Sequence, residues 1–352
     1  MKQIDSAQVP STPVQSIPFQ SVVSNLPEVI KAELELAGVP LSNLLCVEKL
    51  SHGLSNQNYL LKSRERKWVL RINSVASSHI CNRDSEVTNW KIAAEQGLAP
   101  ELQYVSTDNK YYLSEYIEQD EARDWGALIT AHSALPLPDE QEHWHKADTA
   151  LLSLLNHLAR LKCPDNLLSV SEQWRIYSNA LTRINTANAE QSVANEWQRG
   201  YSRLLSIQET ISHWLMELES CALAEQYSHR DLNPHNLLFS QGKLTCIDFE
   251  YACGSHPLFD LAGVLSSHAL STSQRSNIID GYLDNHPKLT PDAKSALPAA
   301  INIYWVFAAC WALLMAAETD NKAKDKCELQ HSPQTRAKYL DCFSQFFSLI
   351  VS

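Results

Sequence analysis

Residues 227–262, YSHRDLNPHNLLFSQGKLTCIDFEYACGSHPLFDLA, constrain this chain more than any other stretch of it. They gather His229, Asp231, Asn236, Asp248 and Glu250 into a short span. Between these polar residues lie two apolar runs, Leu237 to Phe239 and Leu244 to Ile247, each long enough for a short strand. Ser240-Gln241-Gly242-Lys243 joins the runs, and a glycine there suits the tight turn of a hairpin. A hairpin folds Asn236 and Asp248 back to the same end.

That geometry has a chemical use. Phosphoryl transfer from a nucleotide needs metal ions on the phosphates, and a carboxylate beside the attacking hydroxyl to orient it and accept its proton. Asp231 at the start of the loop, an oxygen of Asn236 and then Asp248 beyond the hairpin supply those parts. The plainer reading of the same residues is a set of polar caps on a loop beside a sheet. The spelling matches the protein-kinase catalytic loop H-R-D-L-x-x-x-N and an Asp-Phe element, with Glu250 where protein kinases carry glycine. With IDFEYA in that place and FDLA shortly after it, the stretch resembles the aminoglycoside phosphotransferase and choline kinase superfamily, above all its small-alcohol kinases for choline, ethanolamine and thiamine.

Composition sets bounds on this. The 352 residues, 44% hydrophobic and 20% charged, suffice for a substantial core in one large or two modest domains. A formal net charge of -11 argues against a broad nucleic-acid surface and is compatible with an acidic pocket for a cationic substrate. Nine dispersed cysteines without a C-x-x-C pair are the usage of a reduced, cytoplasmic protein rather than of a disulfide frame or zinc site. The chain shows no signal peptide, and its longest apolar run, residues 303–317, is short for a membrane span and reads as a buried helix.

Taken in order, residues 1–26 lack periodicity and read as a loosely ordered tail. PEVIKAELELAG from Pro27 reads as a helix stopped at Gly38. Asn58 to Lys62 and Lys67 to Asn73 read as a hairpin across Ser63-Arg64-Glu65-Arg66, preceded by a small, polar loop around Gly53-Leu54-Ser55-Asn56. In the second strand, alternation places Val69 and Arg71 on one face and Trp68, Leu70 and Ile72 on the other. A helix follows from about Asn82, with Glu86 in its first turn, and ends at Gly97-Leu98-Ala99-Pro100. Beyond Tyr111 to Glu118 the composition turns helical, with a leucine stripe over residues 151–161.

The resemblance implies an α+β, bilobal protein-kinase-like fold, with an antiparallel sheet plus helix in an N-lobe at 27–118 and a mainly helical C-lobe at 119–352. It implies an ATP- and magnesium-dependent transfer to a hydroxyl of a small, cationic metabolite of the choline, ethanolamine or thiamine kind. Carried onto this chain, Asp231 is the catalytic base, and Asn236, Asp248 and Glu250 serve the metal. Ser55 and Asn56 face the phosphates, Val69 covers the base, Arg71 holds the phosphates paired to Glu86, and adenine meets the Glu115 carbonyl and the Ile117 N–H. His229 and Asp260 hold the loop in shape.

An acceptor site is expected on the late helix, where Tyr304, Trp305 and Trp311 offer ring faces to a cation or else pack in the core. The choline-type box is incomplete, since Ala308 stands where its first tryptophan falls and Ser267 where an acid does. An antibiotic kinase of the aminoglycoside or macrolide type is the alternative within the class. A nucleotide-binding pseudokinase scaffold is the alternative outside it. The sequence leaves the oligomeric state open.

Overall fold

The computed structural model describes residues 19–50, 56–73, 81–120, 125–128, 136–141, 144–187, 196–322 and 333–351. They fall into two compact units, the first holding the described residues up to 73 and those at 102–116, the second holding 81–101 and everything from 117 onward.

The first unit opens with helices α1 (Phe19–Ser24) and α2 (Glu28–Leu36) and continues with strands β1 (Cys46–Leu50), β2 (Gln57–Lys62), β3 (Lys67–Ile72), β4 (Leu102–Val105) and β5 (Tyr111–Glu115). The strands form one antiparallel sheet in the order β1-β2-β3-β5-β4. Strand alternation puts Tyr59, Leu61, Trp68, Leu70, Tyr111 and Leu113 on one face, where Leu26, Ile30 and Leu34 cover them to make the core. Gly38, at φ 89°, turns the chain out of α2 while the N–H of Val39 returns to the Leu34 carbonyl. The Ser63 hydroxyl accepts the N–H groups of Glu65 and Arg66 and so fixes the turn between β2 and β3. The tail expected over residues 1–26 needs correction at its end. Residues 19–24 are helical, because Val22, Val23 and Leu26 fall on one apolar face and pack on the core.

The second unit begins with α3 (Arg83–Glu95), capped by the Asn82 side chain, which accepts the Ser85 N–H at 3.0 Å. The sequence reading draws a single boundary near residue 118, yet α3 falls in this unit. Its buried face explains why: Trp90 stacks on Phe249 at 5.6 Å, and Asn89 donates to the Ala252 carbonyl at 2.5 Å while its own carbonyl accepts the Tyr227 hydroxyl. Then come α4 (Ala147–Arg160), α5 (Val170–Ala187), α6 (Glu196–Ser206) and α7 (Gln208–Cys221). Short strands β6 (Gln226–Ser228) and β9 (Cys253–Ser255) pair with each other, as do β7 (Leu237–Ser240) and β8 (Lys243–Cys246) between them. Helices α8 (Leu258–Ser267), α9 (Thr272–Leu283), α10 (Ala293–Lys322) and α11 (Pro333–Ser348) complete it.

Helix α10 extends well beyond the apolar run from which it is read. It is long and apolar enough to cross a membrane, but 72% of its apolar window is buried within the protein. Its apolarity is spent on packing against α5, α6, α7, α8 and α11. The architecture is the α+β one expected, an antiparallel sheet with helices followed by a mainly helical unit.

Candidate active site

The site grows from the hairpin. Gln241 and Gly242 both take positive φ, 51° and 78°, the two-residue turn whose twist matches a hairpin. With the strands in register from Leu237 opposite Cys246 to Ser240 opposite Lys243, the Ile247 N–H reaches the Asn236 carbonyl at 2.9 Å. Residues 236 and 248 thus stand at one end, as the sequence requires. Cys246 anchors the hairpin through its N–H to the Leu98 carbonyl, just past the end of α3.

The loop before the hairpin is held by one buried carboxylate. Asp260, on the first turn of α8 and 2% exposed, accepts the Ser228 hydroxyl at 2.8 Å, the His229 N–H at 2.9 Å and the Arg230 N–H at 2.7 Å. His229, fully buried, meets the Ile247 carbonyl through Nε2 at 3.1 Å and the Asp231 N–H through Nδ1 at 3.4 Å. Burial holds this imidazole below its ordinary pKa, so it is neutral, with Nε2–H donating to Ile247 and Nδ1 accepting from Asp231. The loop and the segment after the hairpin are thereby stitched together.

Asp231 projects from this frame between two carboxamides. Asn233 Nδ2 donates to Oδ1 at 2.8 Å, and Asn236 Nδ2 donates to Oδ2 at 2.7 Å and to the Asp231 carbonyl at 3.0 Å. Burial, with the charge of Asp248 adding to it, outweighs these donors and pushes the carboxyl up to about 6. Asp248 sits at φ 64°, a left-handed conformation that aspartate tolerates better than most residues.

A divalent cation fits this donor set. Asn236 spends its NH₂ on Asp231, which leaves Oδ1 as the atom to offer, and Asp248 adds a carboxylate whose charge Asp231 feels. Among the described residues no group of three or more His, Cys, Asp or Glu side chains gathers as a metal site. Magnesium does not need one, because it keeps waters and substrate phosphates and takes only one or two protein oxygens.

The other expected residues distribute as follows. In the first unit Asn56 is buried, and Val69 and Arg71 lie on the sheet face opposite the core. Arg71 is 5% exposed, its Nε donating to Asn73 Oδ1 at 2.8 Å and its guanidinium 5.8 Å from the Tyr112 ring centre. Glu115 ends β5. Ser55 lies outside the described residues. In the second unit, Ile117 follows the sheet, and Glu86 takes Arg83 at 2.5 Å, one turn earlier in the same helix. Arg83 also lies 3.6 Å from Glu250. Glu250, one of the residues expected to serve the metal, is thus within reach of a guanidinium. The spacing of Arg83 and Glu86 along the helix carried that signal in the sequence.

The aromatic expectations divide. Tyr304 lies near Phe259 of α8, and burial with the Asp231 charge raises its hydroxyl pKa. Trp305, buried, stacks on Phe346, and Trp311, half-buried, meets Tyr339 edge-on, both partners lying on α11. Tyr177 and Tyr251, which also feel the Asp231 charge, escape sequence reasoning because they lie on separate elements with no motif of their own.

A sheet unit and a carboxylate loop of this kind define a kinase-like phosphotransferase. The chain belongs to the phosphotransferase enzyme family, APH, whose model matches residues 47–291. Protein LicA of Haemophilus influenzae is 25% identical over 240 residues, which cover 67% of this chain and 62% of that relative, less than two thirds of its length. The fold is similar to that of choline kinase LicA from Streptococcus pneumoniae, with a TM-score of 0.57 at 17% identity over 91% of this chain and 98% of the other. It is also similar to the ADP-bound aminoglycoside phosphotransferase APH(2'')-Ib, with a TM-score of 0.54 at 15% identity over 92% and 99%.

Proposed function

We propose that this protein transfers the γ-phosphoryl group of ATP, with magnesium, to the hydroxyl of a small amine-bearing alcohol of the choline and ethanolamine kind. The observation that carries the reading is Asp231, held by two carboxamides beside the charge of Asp248 and raised to about 6. A base poised just below neutral pH is ionised at pH 7 yet basic enough to take a proton from an alcohol in flight. Asn233 and Asn236 orient its two oxygens, and Asp260 fixes the loop beneath it.

Asn236 Oδ1 and Asp248 would hold the magnesium, which when bound supplies charge neutralisation on the transferring phosphates. Glu250 acts through Arg83 as a positioning residue. Asn56, Val69, Arg71, Glu86, Glu115 and Ile117 are proposed for the nucleotide, with Arg71 as the phosphate cation. The LicA relatives favour a choline-type acceptor, and the likeness to an aminoglycoside phosphotransferase supports an antibiotic acceptor as the second reading. A reducing, ATP-supplied compartment such as the cytoplasm is the setting.

The test is ADP release from MgATP with choline, ethanolamine, thiamine and gentamicin, for the wild type and Asp231→Asn. One acceptor should raise turnover, and the substitution should lower that acceptor-dependent rate by roughly 10²–10⁴-fold. Acceptor-dependent release that survives the substitution would remove Asp231 from the base role. Tight MgATP binding without turnover on any acceptor would return the pseudokinase scaffold.

A further inference from the structure

Arg230 takes no part in the reading above, yet it is placed at a cost. It follows His229 in the catalytic loop at φ 68°, a left-handed conformation that glycine or asparagine adopts readily and a long side chain does not. The residue is 8% exposed. The side chain lies 4.6 Å from the Phe259 ring centre, and Nη1 donates to Cys253 Sγ at 3.6 Å. No carboxylate lies within ion-pair distance of the guanidinium among the described residues. Asp260 lies close by, but it accepts the Arg230 main-chain N–H.

A guanidinium set against a ring face and a sulfur is poorly compensated, since sulfur is a weak acceptor. Two costs at one residue, a strained backbone and an uncompensated charge, mark a functional position. The surroundings are aromatic and lie within reach of the Asp231 charge. Phe259 touches Tyr304 and Phe307, Tyr177 meets Phe307 edge-on, and both tyrosine hydroxyls feel the Asp231 charge. The ring beneath Arg230 holds the fork of N–H donors in one orientation, the arrangement that receives a planar oxyanion in two parallel hydrogen bonds.

We infer that Arg230 receives a carboxylate carried by the acceptor itself, so that the acceptor is a zwitterion bearing an amine, a hydroxyl and a carboxylate. The hydroxyl part of this rests on the phosphotransfer reading. The carboxylate part does not.

The test is calorimetric titration in the presence of MgADP, using matched pairs that differ by a carboxylate arm, choline against carnitine and ethanolamine against serine, with inorganic phosphate as a further probe. ADP release from MgATP is followed with the same compounds. The carboxylated member of a pair should bind about 10- to 100-fold tighter, the worth of a charge-assisted hydrogen-bond pair. Arg230→Gly should erase that preference, and glycine suits the backbone there, so the variant keeps its fold. Arg230→Lys should restore part of it. Equal binding within each pair, equal weakening of both members in Arg230→Gly, or no binding of any member overturns the inference. So does a variant that loses phosphate affinity alone, which would assign the fork to a phosphoryl group. A carboxylate preference without ADP release removes the phosphotransfer reading and leaves Arg230 standing. Efficient ADP release with choline and none with carnitine does the reverse.

Discussion

At the scale of single residues, the site sets stability against chemistry. The Asp231 carboxyl, pushed up to about 6 from the ordinary aspartate range, is costly to ionise in the folded protein. A folded-state acid pKa raised above the unfolded one penalises the fold once pH rises through it, and the penalty is absent below the unfolded value. Asp231→Asn should therefore stabilise the protein by about 1–2 kcal/mol above pH 6, less than the shift alone gives because asparagine returns fewer acceptors to Asn233 and Asn236. That gain should shrink to nothing toward pH 4. Thermal unfolding of both proteins at pH 8 and pH 4 checks it, and an advantage that persists at pH 4 would mean that the charge is not its source. In the wild type, kcat/KM should fall about tenfold per pH unit below 6. The residues of this site were legible where one motif carries them, as with Asp231, Asn236 and Asp248. They were not where separate elements converge: nothing near Tyr177 in sequence tells that it will lie within reach of the charge on Asp231.

At the scale of elements, the reading succeeded where a local cause sufficed. The β7–β8 hairpin follows from two apolar runs and a glycine, and the end of α3 from Gly97, at φ 66°. Strand alternation in β3 correctly separated Trp68 and Leu70 from Arg71. Periodicity fixes a face but not the partner that covers it, so the α11 neighbours of Trp305 and Trp311 were not legible. The hairpin turn can be tested alone. A Cβ on Gly242 would meet no atom within 4 Å, so any loss there is conformational. Gly242→Ala should cost about 1 kcal/mol in denaturant unfolding, and Gly242→Asn distinctly less, because asparagine tolerates the left-handed region. Equal losses would argue that the turn is not built on positive φ at that residue.

At the scale of the whole molecule, the second unit is organised around α10, and the catalytic loop hangs on the helices packed against it. Gly200 on α6 marks how closely they meet. A Cβ there would lie 2.9 Å from Phe343 on α11 and 3.2 Å from Leu313 on α10, while Trp197 donates its indole N–H to the Leu313 carbonyl at 2.8 Å. Gly200→Ala should cost about 1–3 kcal/mol by overpacking and lower Tm by several degrees. No residue of the site lies in this contact, so kcat/KM per folded molecule should hold. Asp231→Asn should do the opposite at neutral pH, raising Tm and abolishing turnover. Measured on one preparation, the two substitutions separate the framework from the chemistry, since each is expected to move the quantity that the other leaves or reverses. If Gly200→Ala lowered kcat/KM as well, the helices around α10 would be setting the loop geometry itself, and Asp260 on α8 would be the next residue to substitute, because it joins that framework to the Arg230 and His229 amides.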